Sequence, residues 1–157
     1  MVAAVVKYTI DTSFIIKGLV PPRRKKQNEM LEQQQKMYKL ARSYLDKVRD
    51  KEVEMYIPAI ALVETGIVVS RITNNEEDSR KAISFLKRNA THVFYDHEIM
   101  EETISLGIKT KASGYDTIFL TVAEVSGSEL LTDDSLQHKI ALRKGIVSHL
   151  LKDMIAK

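Results

Sequence analysis

The apolar positions of this chain fall in short blocks that alternate between continuous runs and helical spacing. Residues 2–10 form an apolar, β-branched run broken only by Lys7, Tyr8 and Thr9. A run this short, without alternation, predicts a strand buried on both faces. It stops at Asp11-Thr12-Ser13 and leads into a short apolar segment over 14–20, then Pro21-Pro22. From 28 to 49 the apolar residues Met30, Leu31, Met37, Leu40, Ala41, Tyr44, Leu45 and Val48 lie mostly at helical spacing. A short strand is predicted over 54–57, stopped by Pro58. A helix over 59–72 closes at Asn74-Asn75, and an amphipathic helix over 76–89 turns Ile83, Phe85 and Leu86 inward. The rest reads as strand 92–95, helix 97–108 closed at or just after Gly107, loop 109–114, and helix 115–125 with Ile118, Phe119, Val122 and Ala123 inward. Strand 129–132, helix 135–143 stopped by Gly145 and strand 146–149 follow.

Strands alternating with helices predict an α/β fold, a single-domain three-layer α/β/α sandwich with a mostly parallel central sheet. No repeat, low-complexity tract or linker divides the chain, so residues 1–157 are expected to form one domain with a longer helical segment at about 23–50. At 157 residues, 44% of them hydrophobic, the chain can bury a sizeable core. No apolar run approaches the roughly 20 residues of a membrane helix. The opening MVAAVVKYTIDTS lacks the basic n-region and cleavage site of a signal peptide. A cytoplasmic protein with no membrane partner is therefore expected. The absence of cysteine excludes disulfides and thiolate metal sites. A net charge of +3 permits a nucleic-acid partner without requiring one.

The acids change the picture. Asp11 directly follows the first strand, and ligands of open parallel sheets bind outside the carboxyl ends of the strands. The alternative is a loop or cap residue, with Ser13 capping the next segment. Glu64 is the only charge between Ile57 and Val69. On a helix it shares a face with Ala61 and Val68, and a carboxylate against an apolar face is costly unless it is paired or bound to a metal. The competing reading is a narrow exposed stripe of Glu64, Thr65 and small residues. Asp116 lies in the first turn of its helix, where Ser113 and Asp116 also read as a capping box. Asp133 and Asp134 follow the 129–132 strand, and either could cap the next helix. Carboxylates converging on one crevice repel each other unless a hard cation sits among them. Mg²⁺ or Mn²⁺ suits such oxygen donors. That cation can acidify a bound water and clamp phosphoryl oxygens, chemistry suited to phosphodiester hydrolysis.

The order of IDTS, IPAIALVETG, SGYDTIFLTVAE and LLTDDSL resembles the PIN domain, and more narrowly its VapC-like toxin branch, over essentially the whole chain. The resemblance implies an α/β/α sandwich and a catalytic, metal-binding set made of Asp11, Glu64, Asp116 and Asp134. The Thr-x-Asp form of the last motif places its acid at Asp134 and its hydroxyl at Thr132, leaving Asp133 as an auxiliary ligand position. Ser13 matches the small polar residue after the first Asp, and with Thr132 it would orient the ligands by hydrogen bonds. The implied activity is Mg²⁺- or Mn²⁺-dependent hydrolysis of RNA by the toxin of a type II toxin–antitoxin pair. The implied partners are an RNA substrate, a protein antitoxin and a second copy in a homodimer. One departure is the stretch over 21–50, longer and more basic at its start than a compact toxin needs.

Two other readings stand beside this one: a non-catalytic RNA- or partner-binding PIN module, and a PIN nuclease of ribosomal-RNA processing. An aspartyl phosphotransferase of the haloacid-dehalogenase type would need an acid where Ser13 stands. Arg23-Arg24-Lys25-Lys26 reads as a solvated loop or as a guide for an RNA backbone. Lys109 and Lys111, just before Asp116, are better placed to meet phosphate. The histidines at 92, 97, 138 and 149 lack zinc spacing, and no glycine-rich phosphate loop is present.

Overall fold

The computed structural model describes residues 4–23 and 28–156. The chain runs β1 (Lys7–Ile10), α1 (Thr12–Leu19), α2 (Glu29–Arg49), β2 (Glu54–Pro58), α3 (Ile60–Thr73), α4 (Glu76–Asn89), β3 (His92–Phe94), α5 (Asp96–Thr110), α6 (Gly114–Ser126), β4 (Glu129–Thr132), α7 (Ser135–Arg143), β5 (Ser148–Leu150) and α8 (Leu151–Ile155). The strands form one five-stranded sheet in the order β3-β2-β1-β4-β5, and every pairing is parallel. The fold is thus the single-domain α/β sandwich the pattern predicts, with a fully parallel sheet.

Adjacent residues of β4 show how the layers divide. Leu131 joins a core cluster with Ile10, Phe14, Leu45, Ile57 and Leu151, while Leu130 joins a second cluster with Leu106, Leu120, Ala141 and Ile146. Successive strand side chains point to opposite faces, so the clusters lie on opposite sides of the sheet. Helices α1, α2, α3, α4 and α8 supply the first and α5, α6 and α7 the second, with α6 also giving Phe119 to the first.

Local chemistry sets most boundaries. Asn28 caps α2 by accepting the Leu31 N–H at 2.9 Å. Asn74 ends α3 in the left-handed conformation at φ 50°, and Asn75 opens α4 by accepting the N–H groups of Glu77 and Asp78. Three acids, Glu76, Glu77 and Asp78, then sit against the positive end of α4.

Four expectations need correction. The first strand starts at Lys7 rather than at residue 2. Residues 4–6 are exposed, and residues 2 and 3 lie outside the described residues. Pairing limits it: the ladders begin at Lys7↔Glu54 and Tyr8↔Glu129, and apolarity without a neighbouring strand makes no sheet. Helix α5 runs through Gly107 to Thr110 and ends at Lys111, at φ 57°. Gly107 has φ in the ordinary range, and a Cβ there would meet Thr117 Cγ2 of α6 at 3.4 Å, an ordinary contact, so nothing local stops the helix at this position. The last strand is shifted to Ser148–Leu150. It continues into α8, which the pattern does not predict, and whose Leu151 is fully buried.

Gly18 marks the tightest approach of α1 to α2. A Cβ there would meet Leu45 Cδ1 at 2.7 Å and the Ala41 carbonyl carbon at 3.0 Å, and the backbone atom cannot swing aside. Gly18→Ala is expected to lower stability by about 1–3 kcal/mol, the range for overpacking. Gly114→Ala, built into open space, is expected to be neutral or slightly stabilising. Urea denaturation of both variants checks the contrast.

Candidate active site

Because β1 lies between β2 and β4, the chain leaves it toward one side of the sheet and later returns on the other. The crevice beyond the carboxyl ends of β1 and β4 is the switch point where ligands of open α/β sheets bind. Ile10 pairs with Leu131, so the residues that follow, Asp11 and Thr132, leave the sheet side by side. The Asp11 N–H donates to the Leu131 carbonyl at 3.0 Å.

Asp11 is 3% exposed. Its Oδ1 accepts the Phe14 N–H at 3.1 Å, capping α1, and the Ser13 hydroxyl at 2.6 Å. Its Oδ2 accepts the Thr132 hydroxyl. Asp11 is therefore itself the cap of α1, and Ser13 is one of its donors. Both hydroxyls also reach the turn after β4. Ser13 Oγ accepts the Asp133 N–H at 2.9 Å, and Thr132 Oγ1 accepts the Asp134 N–H at 2.9 Å. A carboxylate offers about four lone-pair sites, so three bonds leave Asp11 room for one more partner.

Asp134 caps α7, its Oδ1 accepting Leu136 N–H at 2.9 Å and Gln137 N–H at 3.1 Å. Its Oδ2 accepts no hydrogen bond among the described residues. Asp116 is half-buried in the first turn of α6, which Ser113 caps by accepting the Asp116 N–H at 3.1 Å. Glu64 is half-buried on α3 and makes no side-chain hydrogen bond among the described residues. The stripe envisaged around it has different members: Thr65 is fully buried, and the solvent-facing positions are Val63 and Ile67.

The charges of these groups feel one another. Burial, reinforced by Asp134, lifts the Asp11 carboxyl from 3.8 to about 6 against the lowering effect of its three donors. Burial and Asp134 also raise Asp116. The Tyr115 hydroxyl is pushed up to about 12 by burial, with Glu64, Asp11 and Asp116 all adding to the rise. Asp133 differs. Burial raises it, but Lys152 and Lys17 pull it down, and its Oδ1 is buried without a partner among the described residues. Among the described residues none of Asp11, Glu64, Asp116 or Asp134 forms an ion pair.

Do these residues fit a divalent cation? The donors are hard oxygens, and four acids lack a positive partner among the described residues. Yet no three acidic or histidine side chains among the described residues stand close enough to form a ready cage. The fit therefore rests on donor chemistry alone: a Mg²⁺-like ion takes such oxygens, one or two carboxylates with several waters.

A model of the PIN domain matches residues 8–142. The chain belongs to the PIN domain family. Among solved structures, PAE2754 from Pyrobaculum aerophilum superposes with a TM-score of 0.60 at 17% identity, covering 96% of this chain and 88% of that one. FitAcB from Neisseria gonorrhoeae superposes with a TM-score of 0.55 at 16% identity, covering 92% and 97%. At these identities the likeness is one of fold. No curated protein matches this PIN domain at the sequence level.

The remaining candidates divide. In this PIN domain His92 and His149 pair with Glu98 and Glu129, and His138 meets Ser148, all structural contacts. Arg23 donates to the Ile72 carbonyl at 3.0 Å, whereas Arg24, Lys25 and Lys26 lie outside the described residues. Lys111 serves as the C-cap of α5. Lys17 and Lys152 beside Asp133 escape a reading of the pattern. Lys17 could be noticed as the lone charge in an apolar segment, but Lys152 sits on the unpredicted α8. Tyr115 and Thr12 escape it as well, since neither is acidic.

The raised Asp11 gives a pH prediction. The folded protein holds this proton more tightly than the unfolded chain, so its contribution favours folding at low pH. That contribution is lost as pH rises from about 3.8 to about 6 and stays lost above. Asp11→Asn removes the charge, and its thermal stability relative to the parent is expected to improve across that window and level off above it. The gain is at most roughly 3 kcal/mol, from about 1.4 kcal/mol per pKa unit. Thermal unfolding at pH 4, 5, 6 and 8 without divalent cations reads it.

Proposed function

We propose that this PIN domain is a Mg²⁺- or Mn²⁺-dependent endoribonuclease and the toxin of a toxin–antitoxin pair, with Asp11, Glu64, Asp116 and Asp134 as its site. The observation that carries the reading is the junction of Asp11 and Asp134 at two adjacent strand ends, within the field that also reaches Asp116. A divalent cation bound there supplies positive charge against phosphoryl oxygens and makes a water easier to deprotonate. The chain's own residues do the rest. Ser13 and Thr132 hold Asp11 and the 133–134 turn in one orientation. Glu64, unencumbered by hydrogen bonds among the described residues, orients the attacking water and takes its proton. The water oxygen bonds to phosphorus as the bond to the leaving oxygen breaks. Lys17 and Lys152, whose charges reach Asp133, would meet RNA phosphates beside the scissile one. The toxin role and the protein antitoxin rest on the VapC-like motif order.

A non-catalytic PIN module is the second reading, favoured by the lack of a ready ion cage among the described residues. Cleavage of a structured RNA with Mn²⁺ decides between them. The parent protein should cut, EDTA should stop it, and folded Glu64→Gln should lose at least about 100-fold, the low end for a general base. Equal cutting by both proteins would sink the site assignment. Binding without cutting would favour the module. Induced expression should arrest growth of a host, and Glu64→Gln should not.

The homodimer is proposed on α5, where Met100, Ile104 and Ile108 are exposed four residues apart and form one apolar stripe. Ile104→Glu should turn a dimer into a monomer by light scattering. An unchanged mass would remove α5 from the interface.

A further inference from the structure

Thr12 and Tyr115 join the two halves of the acid site by a bond the catalytic reading does not use. Thr12 opens α1 and adjoins Asp11, and Tyr115 stands in the first turn of α6 and adjoins Asp116. Thr12 Oγ1 and Tyr115 Oη are 2.7 Å apart, across 103 residues of sequence. Thr12 is 7% exposed, so its hydroxyl has little access to water as a substitute partner. The Tyr115 ring is held one turn along α6 by Phe119, whose centroid lies 5.2 Å away and which is fully buried. The tyrosine is thus a short rigid strut with its foot in the core and its tip at the mouth of the site, where the fields of Glu64, Asp11 and Asp116 overlap.

This geometry bears on the missing cage. Asp11 is fixed by three hydrogen bonds from α1 and β4, while Asp116 rides on α6, a different element. The charge of Asp134 raises both Asp11 and Asp116, so with no cation present the strand-end acids and α6 repel. Among the described residues, no other side-chain hydrogen bond links α1 to α6.

We infer that Tyr115 is a positioning residue which, through its hydrogen bond to Thr12, fixes the separation of Asp11 from Asp116 and thereby sets the affinity of the site for a divalent cation. The inference rests on the proposed metal-dependent reading and adds a residue that touches neither cation nor RNA. Partners of this kind, one step removed from the ligands, typically change metal affinity 10–100-fold when altered. Removing only the phenolic oxygen tests the strut without removing its packing.

Mn²⁺ binding by the whole chain is measured calorimetrically, with thermal unfolding in EDTA alongside. Tyr115→Phe and Thr12→Val should each weaken Mn²⁺ binding about 10-fold or more, and Thr12→Ser, which keeps the hydroxyl, should stay within about twofold. The double variant Tyr115→Phe/Thr12→Val should bind no more weakly than either single one, as expected for a shared interaction. Tyr115→Phe with a lower unfolding temperature but parental Mn²⁺ affinity would show a structural role only and overturn the inference. Loss of affinity in Tyr115→Phe but not in Thr12→Val would overturn action through Thr12. A parent protein that binds no Mn²⁺ would instead overturn the metal-dependent reading itself, and this inference with it.

Discussion

Asp11 sits between the ends of β1 and β4, where three hydrogen bonds stand in for the water its charge has lost. The carboxyl remains lifted to about 6, so those bonds do not fully offset burial and the field of Asp134. Everything nearby answers to this group. The cap of α1, the register of β1 against β4, and the turn that carries Asp133 and Asp134 all converge on it. A buried charge that hydrogen bonds leave uncompensated is what a cation would complete.

The rest of the molecule holds that junction in place. The parallel sheet puts β1 in the centre, so the strand end that carries Asp11 is enclosed on both sides. Helix α2 packs on α1 so closely that position 18 has no room for a methyl group. Helix α6 spans both cores and brings Asp116 to the strand ends, and Phe119 anchors it. The acids stand at the end of a packing arrangement that extends through both layers.

The strand–helix alternation was legible because each element carries its own apolar signature and, in most cases, its own cap. Asn74-Asn75 and Ser113 announced their boundaries through chemistry local to the chain. What the pattern misplaced depends on neighbours. Strand β1 is trimmed by the reach of its partners, α5 runs on past Gly107 to its cap at Lys111, and α8 exists because Leu151 finds a buried seat against the core. The acids of the site could be named from their places in the motif order and beside strand ends. The supporting pair Thr12 and Tyr115 could not, because a bond across 103 residues leaves no mark at either position. Glu64 lies between the two cases: its position was legible, its surroundings were not, since Thr65 rather than Glu64 takes the buried side of α3.

The bond from Thr132 to Asp11 spans 121 residues, and it gives the site a time as well as a place. Strand β1 leaves the ribosome first and must wait for β4 before one flank of Asp11 is covered. Until residue 134 has emerged, the chain holds Asp11 without Asp134, and neither Thr132 nor the turn beyond it is available. Contacts of such long range also form slowly, since the intervening chain must first be brought to closure. A growing or truncated chain is therefore an incomplete site by construction, and whatever chemistry the acids perform is withheld until the sheet is nearly whole.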